Sequence, residues 1–556
     1  MSWSVRTILI LFALAGLFWF HTARQHRPTR IEGATKSKTL ILGNGSEPET
    51  LDLHLATGQP EHHIFSSLFE GLVAPLPDNP DANGPGAAAS WEHSPDFVTW
   101  TFHLQPNGKW SDGTPVTAAD FAYSYERELS PALAADYAAM LHPLLNAEAF
   151  NKGEITDFSK VGVRVVNDHT LQLTLKGPTP FLPSMLKHYS WFPVPRHAIE
   201  RFGKMTDRDT KWTRPGNMVS NGPFKLKEWR FTHSITVERN PHYWDAATVK
   251  LDGVRFYPIT QSQTEEKLFR RGQLHATYAT PLNKIPGYLA EHPDVVKNYG
   301  NCATWFMRLN ITRGPLGDPR VRRALGFAFD RQSLIDNVLR ASETPAFGIV
   351  PPLEGYDGAK AFRFDPAEAQ RLLAEAGFPG GKGFPDNLNI LISKAESAAV
   401  VAEAAQEMWK RHLGVSIGIS SQDFNVYNKA QTEMQYDIAF AGWNADYYDP
   451  VTFIDMWITG NGNNRTGWSS APFDKLVTAA QQCADGTRRF QILREAEDVL
   501  LRDAPVLPLY YGVRTRLIHP SVKEWQPRLL DNRLWKYMDL ISPPPPCSMD
   551  DELARD

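Results

Sequence analysis

Residues 442–450 read Gly-Trp-Asn-Ala-Asp-Tyr-Tyr-Asp-Pro and place one carboxylate, that of Asp446, among three aromatic side chains. They follow the apolar run 438–441, Ile-Ala-Phe-Ala, which is typical of a short buried strand. A carboxylate at the end of such a strand costs free energy unless a cation meets it. A bound ammonium group would do so. The alternatives are that Asp446 caps a turn or pairs with an arginine of the chain itself.

The other residue patterns give no catalytic centre. The sequence has no His-Glu-x-x-His, Gly-x-Ser-x-Gly, P-loop or dinucleotide-binding motif. Residues 43–46, Gly-Asn-Gly-Ser, lack the lysine and the further glycine of a phosphate-binding loop. His54, His62 and His63 form the nearest histidine cluster, and surface histidines explain it more simply than a metal site. We therefore predict a protein without a catalytic residue, metal or cofactor.

Composition is that of an ordinary globular protein large enough for two or three domains. The chain has 556 residues, of which 42% are hydrophobic and 22% charged, and its net charge is −4. That charge and the lack of basic runs argue against a nucleic-acid partner. Core packing can use many of the 16 tryptophans and 17 tyrosines, but both residue types also serve in wet binding clefts.

The N-terminus predicts export. Arg6 precedes an apolar run at residues 8–20, whose 13 helical residues would span about 20 Å, short of a bilayer core. This length suits the central part of a signal peptide, but no clear cleavage site follows. The segment is therefore either a weakly cleaved signal or a tilted anchor, and the remainder is expected in the periplasm, with or without a tether.

The cysteines and the C-terminus add little. Cys302, Cys483 and Cys547 match no zinc spacing, and an oxidising compartment would allow one disulfide. Cys547 follows four consecutive prolines, in a tail (541–556) that we expect to be disordered.

Strand and helix patterns alternate to the end of the chain, which predicts an α/β or mixed α+β fold. Thr117 with Asp120, and Asp318 and Asp365 each before a proline, mark helix starts, and Gly377 and Gly414 mark helix ends. Alternating or apolar runs predict strands at 39–42, 98–104, 171–175, 235–239, 388–392, 438–441 and 506–511, and a helix at 398–413.

Eight segments in order give the chain a family resemblance. The most diagnostic is 109–118, Lys-Trp-Ser-Asp-Gly-Thr-Pro-Val-Thr-Ala, followed by Asp120 and Phe121. The other segments lie at 45–52, 68–73, 100–104, 220–224, 239–244, 318–322 and 505–511. Together they resemble the oligopeptide-binding proteins of bacterial ABC transporters, the family 5 extracellular solute-binding proteins, over about residues 40–537.

The resemblance implies a two-lobed fold of the periplasmic binding-protein type that closes on a hinge, with a domain inserted in the first lobe. Residues 1–38 would be the signal or anchor segment and linker. Lobe I would comprise 39–70, 198–300 and 513–540, the inserted domain 71–197, and lobe II 301–512. The resemblance also implies a monomer that binds an extended oligopeptide and delivers it to a permease.

The resemblance gives Asp446 a role, because it matches the family's aspartate that pairs with the peptide α-ammonium. Gly442 and Asn444 would offer main-chain groups, and Trp443 and Tyr447 would wall the site, although plain core packing explains both aromatic residues equally well. The remaining matches are Phe424 at a side-chain pocket, Tyr137 in the cleft and Arg313 near a peptide C-terminus. Gln59 lies in the ligand-facing loop, where it differs from the pattern of the enteric members.

The chain also departs from the well-known enteric members. Phe440 replaces an arginine that those proteins use for the carboxylate of short peptides, and Ala398 replaces a histidine that serves peptides of another length. We therefore expect a changed length preference, with longer peptides or a particular C-terminal residue. The competing functions are a binding protein for a metal chelate, sugar or murein fragment, an anchored exported peptidase and a signalling receptor. A retained Asp446 favours a ligand that carries an amine.

Overall fold

The computed structural model describes residues 29–77, 82–526 and 530–549. The apolar run at 8–20 lies outside them, and within the described ranges no helix is long and apolar enough to cross a bilayer. The last part of the segment predicted as a linker forms a helix, Arg30–Lys36. That helix packs inward through Ile31 and Thr35, and Thr35 Oγ1 lies 2.9 Å from His275 Nε2.

Two four-stranded sheets belong to the first half of the chain. In the first, Thr39–Gly43 pairs parallel with Gly253–Tyr257, and Ser234–Arg239 and Phe224–Arg230 follow antiparallel. The second is antiparallel throughout, and its strands in spatial order are Ala88–His93, Thr99–Leu104, Thr170–Thr174 and Val163–Asn167.

A six-stranded mixed sheet organises the second half. Its antiparallel part contains Thr344–Pro345, Val506–Leu517, Val296–Leu309 and Ile438–Asn444, and its parallel part adds Asn389–Ser393 and Gly418–Gln422. Two short ladders complete the strands, Val73–Pro75 with Asn83–Pro85 and Val522–Lys523 with Asp539–Leu540.

Helices cover the sheets, and local chemistry explains where they begin and end. The Asp120 carboxylate accepts a hydrogen bond from the Thr117 N–H at 2.8 Å, as the capping pattern predicts, and Gly414 ends its helix at φ +69°. The longer helices are Gln59–Leu68, Ala118–Leu129, Ser262–Arg270, Pro319–Phe327, Pro366–Glu375, Glu396–Leu413, Phe424–Thr432, Ala471–Gln481 and Gly486–Asp503. The shorter α-helices are Ala147–Asn151, Leu182–Met185, Arg196–Glu200, Ile285–Glu291, Arg331–Leu334 and Val451–Ile454.

The expected mixed α/β class is confirmed, and the predicted strands and helices are present with small shifts at their ends. Val506–Leu517 is six residues longer than predicted, and Ile438–Asn444 is three residues longer. The long strands Val296–Leu309 and Val506–Leu517 pair from end to end, with breaks in register between Gly300 and Thr304 and between Trp305 and Phe306. The domain boundaries stay a prediction.

The predicted disorder of the C-terminal tail is wrong for residues 541–549. Met549 is fully buried in an apolar cluster with Phe269, Tyr288 and Leu517. The Ser548 N–H also donates to Asp294 Oδ2 at 2.8 Å. The prolines do not prevent packing, because an extended chain can lie on a surface without repeating hydrogen bonds. Residues 550–556 lie outside the described ranges.

Removing the tail after Pro546 should therefore destabilise the protein. Burial of one methionine side chain is worth about 1.5–3 kcal/mol, so we expect a lower Tm by scanning calorimetry. The matched control ends after Met549 and should have a higher Tm than the shorter chain. Equal Tm values for both truncations would contradict the packing of Met549.

Candidate functional site

A cavity of about 520 Å³ lies between residues from widely separated parts of the chain. This volume is within the range typical of small-ligand sites. Its lining residues come from three parts of the chain, within 57–189, 305–465 and 530–532. Eight of the ten predicted site residues line it: Gln59, Tyr137, Phe424, Phe440, Gly442, Trp443, Asn444 and Asp446. Arg313 and Tyr447 are not among its lining residues.

The strand Ile438–Asn444, here called the cleft strand, offers an uncovered edge to the cavity. On one side it pairs with Val296–Leu309, the central strand, along its whole length. On the other side Asn389–Ser393 covers only Ile438 and Ala439. The Phe440 carbonyl accepts a hydrogen bond from the Tyr427 hydroxyl at 2.6 Å. The main chain from Ala441 onward therefore faces the cavity, where an extended ligand can add as a further strand.

Gly442 and the aromatic residues form the floor of this edge. Gly442 lies opposite Trp305 of the central strand, and the Trp305 ring stacks on Phe440 at 5.4 Å and on Tyr510 at 6.2 Å. A Cβ atom on Gly442 would lie 2.7 Å from the Trp305 ring. Glycine is therefore needed here so that the ring can lie flat against the strand.

Asp446 and Asp449 stand three residues apart but have different environments. Asp449 is buried and pairs with both terminal nitrogens of Arg489, at 2.9 and 2.5 Å, and it also accepts from the Val451 N–H. It is the aspartate that caps a turn and pairs with an internal arginine. Asp446 is half-buried and has no hydrogen bond or ion pair to any residue in the described ranges.

Burial raises the pKa of the Asp446 carboxyl to about 7. Burial also raises the pKa of Asp455 to about 7, and the nearby charge of Asp446 adds to that shift. Within the described chain Asp446 is thus a carboxylate whose charge is costly and uncompensated. A cationic ligand group would remove that cost.

The histidines of the cavity are held neutral. His62 Nε2 lies 2.7 Å from Asn532 Oδ1 and His188 Nδ1 lies 2.9 Å from Ser190 Oγ. Burial lowers the pKa of both, that of His188 to about 3. Among the residues that the structure describes, no group of three or more His, Cys, Asp or Glu side chains is arranged to hold a metal ion.

A family model matches residues 84–465, and its description is bacterial extracellular solute-binding proteins, family 5. The chain belongs to this family. It is 36% identical to the periplasmic oligopeptide-binding protein OppA of Salmonella typhimurium over 507 residues, covering 89% of this chain and 91% of that protein.

Two solved structures of family 5 binding proteins show the same fold. The OppA of Haemophilus influenzae in complex with RPPGFSPFR gives a TM-score of 0.81 at 30% identity, covering 91% of this chain and 99% of that one. The murein tripeptide-binding protein MppA of Escherichia coli gives a TM-score of 0.81 at 31% identity, covering 90% of this chain and 98% of that one. The unliganded open form of MppA gives only 0.71.

Tyr447 was predicted to wall the ligand site, but it instead lies in a contact between two parts of the chain. Its ring stacks on Phe181 at 5.8 Å with an interplanar angle of 10°, and the Arg489 guanidinium covers Phe181 at 4.3 Å. Beside it the Tyr448 N–H donates to Ser184 Oγ at 3.0 Å. These contacts join residues 181–184 to the loop that carries Asp446.

Arg313 lies outside the cavity, and other cationic side chains line the cavity instead. Arg313 is exposed, and its guanidinium donates to the Met434 carbonyl at 3.3 Å. Arg308, Arg465 and Lys187 line the cavity instead. Arg308 belongs to an ordinary strand pattern and Arg465 to a loop. Only contacts between distant parts of the chain show that both side chains line the cavity. The remaining lining residues missed from sequence include Trp305, Tyr189 and Tyr427.

Replacing Gly442 by alanine should disturb the floor of the cleft. The added methyl group must displace the Trp305 ring, and overpacking of this kind costs about 1–3 kcal/mol. We expect a lower Tm and an altered near-UV circular dichroism signal. Gly462→Ala is the control, since a Cβ there meets nothing within 4 Å. Equal effects of the two substitutions would contradict the close approach of Trp305.

Proposed function

We propose that this protein binds oligopeptides with a free N-terminus and delivers them to the permease of an ABC transporter. The observation that carries this proposal is Asp446, an unpaired, half-buried carboxylate at the end of an uncovered strand edge. A peptide α-ammonium would supply its missing cation. A charge-assisted hydrogen bond of this kind is worth about 1.5–3 kcal/mol net.

The cleft strand would bind the rest of the ligand through its main chain. Hydrogen bonds to backbone groups do not depend on the ligand's sequence, so they support affinity for many peptides. Phe424 is 67% exposed at the rim of the cavity and offers its ring to a ligand side chain. Tyr137 packs on His188 and Tyr189, at 4.9 and 5.8 Å, on the opposite wall.

The transport role rests on the family and on the predicted export segment. The matched relatives are named as binding proteins, which supports a carrier rather than an enzyme. We place the protein in the periplasm as a monomer, with residues 8–20 as a signal or tether. Closure of the lobes around the peptide would then present a shape that the permease recognises.

The length preference follows from the cleft residues. Phe440 and Ala398 both line the cavity, and neither can bind a carboxylate by charge. We therefore propose a preference for peptides longer than three residues. Calorimetric titration with peptides of two to eight residues tests it, and tightest binding of tripeptides would contradict it.

A murein fragment is the second candidate ligand, because a 31% identical structural relative is named as a murein tripeptide-binding protein. Mass spectrometry of ligands released from the purified protein distinguishes the two. Linear peptides with free N-termini would support oligopeptide binding, whereas murein peptides would favour the alternative. Sugars or metal chelates would overturn both.

Blocking the ligand amine should weaken binding about tenfold to a hundredfold, because the acetylated peptide leaves Asp446 unpaired. Calorimetry with one peptide and its N-acetyl form measures this ratio. In Asp446→Asn the ratio should fall close to 1. Asp357→Asn is the control, since that side chain is 91% exposed. A ratio unchanged in Asp446→Asn would remove the role of Asp446.

Peptide affinity should depend on pH on both sides of neutrality. Asp446, with a pKa of about 7 in the free protein, must lose its proton to pair with the ammonium, so affinity falls as the pH drops below about 7. The peptide α-amino group, with a pKa of about 7.7–8.0, loses its proton above that range. Affinity should therefore be greatest near pH 7–8.

Calorimetry across pH 5–9, in two buffers of different ionisation enthalpy, measures both the affinity and the proton released on binding. Proton release below pH 7 should disappear in Asp446→Asn. A flat profile between pH 5 and 7 in the unsubstituted protein would contradict this assignment.

A further inference from the structure

Arg308 is a buried cation beneath the cleft strand. It lies in the central strand opposite Ala439 and is only 4% exposed. Its Nη1 donates to Gln431 Oε1 at 3.0 Å, while its buried Nε has no hydrogen-bond partner in the described chain. The guanidinium lies near the faces of Phe306 and Trp457, at 5.6 and 5.8 Å from the ring centres.

Arg465 is a second cation at the same end of the cavity. Its Nη1 donates to Asn428 Oδ1 at 2.8 Å, on the helix Phe424–Thr432 that also carries Gln431. Its Nε donates to the Gly462 carbonyl at 3.4 Å, and its own carbonyl accepts from the Tyr436 hydroxyl. Both arginines line the cavity, and the charge of Arg465 acts on Arg308.

Neither arginine has a carboxylate partner among the described residues. Each is held by an amide side chain, which fixes its position without neutralising its charge. Burial lowers the pKa of both, and the proximity of Arg465 lowers that of Arg308 further. Two adjacent, partly desolvated cations without a counter-charge are unfavourable until an anion joins them.

The spacing to Asp446 matches a peptide. Arg308 lies opposite Ala439, and Asn444 lies opposite Ala303, five residues further along the ladder. Five residues of strand span about 17 Å, and Asp446 follows two residues later. An extended peptide with its α-ammonium at Asp446 would therefore reach the arginine end after about five to seven residues.

We propose that Arg308 and Arg465 form a binding site for a carboxylate of the ligand, at the end of the cavity opposite Asp446. This inference rests on the proposed peptide-binding function. Guanidinium groups bind carboxylates through paired hydrogen bonds, and both arginines line the cavity. The carboxylate is either the C-terminus of a peptide of five to seven residues or an acidic side chain of a longer one.

Matched peptides separate the two sources. The first pair is a hexapeptide with a free N-terminus, ending in a carboxylate or in an amide. The second pair is an octapeptide amide with Glu or Gln at its sixth position. In the unsubstituted protein the carboxylate form of at least one pair should bind about tenfold to a hundredfold more tightly by calorimetry. The pair that shows the effect identifies the source.

Arginine substitutions then assign the preference to residues. In Arg465→Gln and Arg308→Gln the carboxylate-to-amide ratio should fall close to 1. Arg465 is only half-buried, so Arg465→Gln keeps the test valid if Arg308→Gln does not fold. Arg313→Gln is the control, because it removes the same charge from a position outside the cavity and should leave the ratio unchanged.

The outcomes also separate this inference from the function on which it rests. If peptides bind and N-acetylation weakens them, but both pairs give ratios near 1, the carboxylate site is wrong and the peptide-binding function stands. A preference that persists in both cleft arginine variants would also overturn the site. If no peptide with a free N-terminus binds, the proposed function itself fails.

Discussion

Asp446 is held where water reaches it only in part and where no cation of the described chain meets it. Contacts of neighbouring residues hold the loop that carries it. Asp449, three residues later, is satisfied by Arg489 and by the Val451 N–H, which fixes the loop without neutralising Asp446. The burial that raises the pKa of Asp446 to about 7 is the same burial that would make an ammonium partner valuable.

Main-chain binding of an extended ligand also requires a strand edge that no other strand covers, and the cleft strand before Asp446 has such an edge. The cleft strand pairs fully on one side, and on the other only its first two residues are paired. An exposed edge invites unwanted pairing between chains, and here the edge lies inside a cavity. Gly442 lets Trp305 lie flat beside that edge, so the floor is apolar while the edge is polar.

The sequence predicted the elements well because their signals are local. Caps such as Asp120, glycines such as Gly414 and alternating strands follow from neighbours within a few residues. The family resemblance then led to Asp446 and most of the cavity residues. The failures share a different cause, since each depends on contacts distant in sequence.

Tyr447 stacks on Phe181, Met549 fills a cluster around Phe269, and Arg308 meets Gln431. No periodicity marks such pairs in advance. Arg313 was chosen by position, yet it faces outward, and the cations at that end of the cavity are Arg308 and Arg465.

A crystal structure with a bound hexapeptide tests the central claim most directly. The account predicts the peptide α-nitrogen about 2.7–2.9 Å from an Asp446 carboxylate oxygen, with the peptide main chain paired to the edge after Phe440. A peptide bound in the cavity with its α-nitrogen far from Asp446, and Asp446 facing only water or a cation of the protein, would contradict it.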